Sequence, residues 1–126
     1  MYSVEELLSQ LMIAERYFSG TKYGEIVRSA SAHLAAKDFV VCKEELDKLP
    51  TQEQLFSELL KKLEGKSVER TLKKILKGEV QNKYIILKAL TSLLTHTVIE
   101  VEQGAREYRY LFPLFLNKIN EVVYDV

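Results

Sequence analysis

The stretch VIEVEQGAREYRYLF, residues 98–112, decides how the whole chain reads. Ile99 and Val101 alternate with Glu100 and Glu102, and Tyr108 and Tyr110 alternate with Glu107 and Arg109. That two-residue period predicts two half-buried strands. With Gly104-Ala105 as a two-residue turn, glycine first, the pairing becomes specific. Val101 then faces Tyr108, Ile99 faces Tyr110, and Glu100 lies opposite Arg109. A lone hairpin is marginal in water, so this one needs a helical layer beneath it.

Working outward, the preceding residues supply helices. Ser3 and Glu6 have capping-box spacing, and Val4, Leu7, Leu8, Leu11 and Phe18 recur at helical period until Gly20. A second helix is predicted over 21–36, and a third begins after Asp38 and ends at Pro50. Thr51 and Ser67 are the expected caps of the fourth and fifth helices, which Gly65 and Gly78 close. A sixth, roughly 81–96, is the most apolar, and a short amphipathic segment follows Pro113. The predicted fold is therefore mainly α. A helical N-terminal portion of three short helices (1–50) is joined to residues 51–126, which carry one C-terminal β-hairpin and a short final helix.

The order of helices 52–63, 68–77 and 81–96 followed by strand, turn, strand resembles the winged helix-turn-helix superfamily. The resemblance covers roughly residues 52–113 and is carried by GKSVERTLKKIL and NKYIILKALTSLLTHTVIEVEQGAREYRYLF. It implies that Ile86, Leu90 and Leu93 face inward from the third helix and that Glu102–Arg106 form the wing tip. The link KGEVQ is longer than the family's tight turn, and the third helix is more apolar than a DNA-reading helix. Kleisin-type chromosome-organising proteins carry a similar domain that grips protein, so the resemblance alone does not imply DNA.

Overall charge is balanced, with 18 basic and 18 acidic side chains, so no whole-chain field steers a partner. The distribution is uneven. Lys66, Arg70, Lys73, Lys74 and Lys77 fall at i, i+4, i+7, i+8 and i+11, one face of a helix at about 100° per residue. Val68, Leu72, Ile75 and Leu76 are expected on the opposite face. Such a stripe can follow a phosphate backbone; it is equally the solvated face of an ordinary surface helix, or a match for an acidic protein. On the next helix Gln81, Tyr84, Ile85, Lys88, Ser92 and Thr95 lie opposite Leu90. Gln81, Lys88 and Ser92 can address base edges and Tyr84 a phosphate, although the same mixture suits a protein interface. Arg106 on the wing could reach an adjacent groove.

Other signals carry little. Arg28 and His33 have an R-x4-H spacing that some helical ribonucleases use, but two residues at that spacing arise often by chance. His33, His96 and Cys42 offer no paired metal-ligand spacing, and no glycine-rich phosphate loop is present. The single cysteine and the absence of an apolar run near 18 residues predict a cytoplasmic protein without a membrane span.

The sequence thus predicts a non-enzymatic DNA-binding protein, a small transcriptional regulator on duplex DNA, without metal or cofactor. Phe115, Leu116, Ile119, Val122 and Val123 could bury against a second copy. The alternative is a structural subunit of a larger assembly with protein partners, chromosome-organising or of the RNA-guided CRISPR effector type.

Overall fold

The computed structural model describes residues 3–124. Among them are seven α-helices and one 3-10 segment, and no strand. The chain divides into two compact units. One holds the chain up to Thr51 together with Ala105–Glu107; the other holds Gln52–Gly104 and the chain from Tyr108 onward.

In the first unit, α1 (Val4–Phe18), α2 (Gly24–Ala35) and α3 (Phe39–Leu46) pack on one another. Ser3 Oγ accepts the Glu6 amide at 3.1 Å and Asp38 Oδ1 accepts the Val41 amide at 3.4 Å, so a side chain caps the start of α1 and of α3. Leu7, Leu11, Ala14 and Phe18 of α1 form a buried stripe with Val27 and Ala30 of α2 and Cys42 and Leu46 of α3. The Phe18 ring meets Tyr23 edge-on at 5.6 Å. α2 closes with Lys37 in the left-handed region, φ 61°. Lys37 N–H donates to Leu34 O and Asp38 N–H to His33 O, at 3.0 and 2.8 Å. That is the two-bond helix ending usually built on glycine.

The second unit comprises α4 (Gln52–Lys62), α5 (Ser67–Leu76), α6 (Lys83–Glu102) and α7 (Phe112–Tyr124). Leu55, Leu59 and Leu63 from α4 and its end, Val68 and Leu72 from α5, Leu90 and Leu93 from α6 and Phe115 from α7 make its core. Phe56 meets Phe115 edge-to-face at 5.8 Å. Ser67 is not the cap of α5: that position is Lys66, whose side chain makes no capping bond, and Ser67 is the first helical residue. Asn82 caps α6, its Oδ1 accepting the Tyr84 and Ile85 amides at 2.9 and 3.3 Å.

The expected C-terminal β-hairpin is not formed, and the wing implied by the winged-helix resemblance goes with it. Residues 98–102 are the last turn and a half of α6, and Arg106–Leu111 is the 3-10 segment. The physical cause is cooperative. From Lys83 to Gln103 the chain holds no Gly or Pro, so each further residue of α6 adds a backbone bond to a helix already nucleated. Thr97, wholly buried, bonds its hydroxyl to Leu93 O at 2.7 Å, which removes the objection to a β-branched polar residue there. Gly104, at φ 114°, stands just past the helix end rather than in a hairpin turn. Its N–H donates to Val101 O and that of Gln103 to Ile99 O.

The pairings planned for strands find helical partners instead. Glu100 accepts Lys62 Nζ at 2.9 Å. Tyr108 is buried, its hydroxyl donating to Glu58 Oε2 at 3.3 Å while Lys62 Nζ stands 4.8 Å from its ring centre. Gln52 Nε2 donates to Tyr110 O at 2.9 Å. Pro113 is accommodated because it falls in the first turn of α7, where an amide would lack a helical partner.

By length and composition α6, with 20 residues, could cross a bilayer, and no other helix among the described residues could. Lys88 interrupts its apolar run in the sequence. In the fold, α6 packs against both α5 and α7 as the middle helix of its unit.

Candidate nucleic-acid interface

The basic face of α5 forms as the helical period requires. Lys66, Arg70, Lys73, Lys74 and Lys77 are all exposed, and Val68 and Leu72 are buried on the opposite side. Two details depart from the simple stripe. Glu69, flanking it, is 5% exposed and takes an ion pair from Lys73. That hydrogen bond, with the carboxylate's charge, raises the Lys73 pKa. Arg70 Nη2 donates to Gly65 O at 3.2 Å, which steadies the guanidinium near the start of the helix. Leu76, placed with the inward residues by its spacing, is 70% exposed and belongs to the surface.

Beside the basic face runs a groove of ≈ 380 Å³ between α5 and α6. Ser67, Val68 and Thr71 form one wall and Tyr84, Ile85, Lys88 and Ser92 the other, with Ala89 below. On α5, Ser67 and Thr71 lie next around the helix from Arg70 and Lys74, so cationic face and groove are continuous. Tyr84 stands at the lip, 74% exposed. Of the residues expected to contact nucleic acid, Tyr84, Lys88 and Ser92 are brought to this groove, with Lys66, Arg70, Lys73, Lys74 and Lys77 alongside. Gln81 is exposed just ahead of the cap of α6. Arg106 clusters with the first unit and opens the 3-10 segment Arg106–Leu111 rather than lying on a wing. The hydroxyls of Ser67 and Thr71 were not anticipated; their place one step round the helix from the cations was the available signal.

A second concavity of ≈ 380 Å³ in the same unit is apolar. Leu72, Ile75 and Leu76 of α5, Ile86 and Leu90 of α6 and Leu114 and Val122 of α7 surround it, and Lys118 and Glu121 stand at its edge, 3.3 Å apart. Phe115, expected at an interface between copies, is buried within its own unit; Leu116 and Val123 are exposed.

Arg28 and His33 do not converge. Five residues apart on α2, they diverge by about 140°. Arg28 lies 3.9 Å from Glu25, whereas His33 Nδ1 lies 3.7 Å from Asp38. Cys42 is buried, and burial, helped by the Asp38 carboxylate, raises its pKa away from the reactive thiolate. Among the described residues no group of three or more His, Cys, Asp or Glu side chains is placed to hold a metal ion. The chain matches no protein-family model, no curated protein and no solved structure.

Proposed function

We propose that the protein binds nucleic acid without chemistry of its own, with α5 as its phosphate-contacting element. The observation that carries this reading is the continuity of five exposed cations with a hydroxyl-lined groove bearing Tyr84 and Lys88. Phosphates neutralised by Lys and Arg release counterions, which drives binding and makes it depend on salt. Side chains in the groove would then address bases or sugars. A role in transcription belongs to this reading where the nucleic acid is promoter DNA.

The test is a salt titration with mixed-sequence oligonucleotides. Taking about three phosphates engaged, a rise from ~50 to ~200 mM salt weakens binding roughly 20- to 40-fold. The Arg70→Glu, Lys74→Glu double variant binds more weakly and with a shallower slope. Wild-type protein that binds no oligonucleotide at ~50 mM salt removes the proposal.

A second reading, a subunit of a larger nucleoprotein assembly, is favoured by one feature: the apolar concavity beside the exposed Leu76. Large exposed apolar residues around a cleft suit a protein contact. That reading predicts oligonucleotide affinity that appears only when a partner protein is present.

A further inference from the structure

We infer that the nucleic acid held by this face is single-stranded, with one base lodged in the α5–α6 groove against Tyr84; the inference rests on the proposed function above. The groove is recessed between two helices rather than carried on a projecting element. A duplex is a convex rod whose bases are read by an element that enters its grooves. A hollow cannot do that, whereas an unstacked base can enter a hollow.

The lining suits a nucleobase, which is apolar on its faces and polar at its edges. Val68, Ile85 and Ala89 supply apolar surface, and Ser67, Thr71, Lys88 and Ser92 place hydroxyls and an ammonium around it. Tyr84, the most exposed of the large hydrophobic side chains of α6, presents its ring at the lip. Within a duplex no base face is free for that ring, but a flexible single strand can stack on it. The basic face rises about 16 Å from Lys66 to Lys77 at 1.5 Å per residue. That length matches a strand of a few nucleotides, the small end of single-strand site sizes. Backbone along α5 and base in the groove are thus two parts of one strand.

Labelled dT12, U12 and a 20-base-pair duplex, titrated by anisotropy at ~50 mM salt, test this directly. Both single strands should bind at least ~10-fold tighter than the duplex. Tyr84→Ala should weaken single-strand binding ~5- to 150-fold with the salt slope unchanged. Tyr84→Phe, which keeps the ring, should stay within about threefold of wild type. Duplex bound as tightly as the single strands, or single-strand affinity indifferent to Tyr84→Ala, overturns the inference while leaving phosphate contact by α5 intact. Failure of wild type to bind any of the three removes the proposed function itself. Because Tyr84 is so exposed, the alanine variant should keep its helical circular dichroism, and loss of binding is then read at the site.

Discussion

Replacing Ile99 by proline asks directly whether residues 98–102 belong to a helix. In α6 the amide of residue 99 lies inside the helix, so proline removes its backbone bond and crowds the carbonyl one turn earlier. The cost is about 3 kcal/mol, a factor of roughly 150 in the folding equilibrium of that unit. Ending the helix early would offer little relief, because it would release the Glu100–Lys62 contact and the bonds that close α6 at Gln103 and Gly104. Ile99→Ala is the control. It deletes a side chain that is 42% exposed and introduces a better helix former. Its net effect should stay within about 1 kcal/mol. Urea unfolding followed by far-ultraviolet circular dichroism would show the proline midpoint far below those of alanine and wild type. In a hairpin Ile99 would be an inward-facing strand residue, and alanine would be as damaging as proline. Equal destabilisation by the two variants would refute the helical assignment.

Two further outcomes follow from local geometry and titration. Lys37→Gly should stabilise the first unit by about 1 kcal/mol, because the left-handed conformation at φ 61° burdens a side chain but not glycine; a lower thermal midpoint would contradict the geometry. Burial raises the Tyr108 pKa above its ordinary 10.0, and the bond to Glu100 raises that of Lys62 above 10.5. For both groups the unfolded chain loses its proton first, so their stabilisation is whole below about pH 10 and drains away as pH rises further. Stability should therefore fall as pH rises above about 10, less steeply in Tyr108→Phe; a flat profile in wild type would refute the assignment.

Most of the helical register was legible because buried leucines recur at a period that only a helix satisfies. Leu7, Leu11, Leu55, Leu59, Leu90 and Leu93 all lie buried on the faces their spacing demands. The hairpin was misread because Ile99, Val101, Tyr108 and Tyr110 satisfy a two-residue period over stretches too short to exclude a helical one. The countersign was also present. A helix passes into a strand through a turn, and THTVIEV holds no Gly, Pro, Asn or Asp to favour one. Gly104, read as a hairpin turn, is equally the ordinary residue past a helix end. On α5 the cations could be placed from sequence, but not the groove beside them, since that depends on which face of α6 packs against Ser67 and Thr71. Nor could spacing show that Glu69 would be buried and would occupy Lys73.

The most direct test of the central claim is an amide-resonance titration of the ¹⁵N-labelled protein with dT12. Shifts should concentrate at residues 66–77 and 84–92, and residues 114–122 around the apolar concavity should stay still. Perturbations centred on residues 114–122, or on α1 to α3, would contradict it.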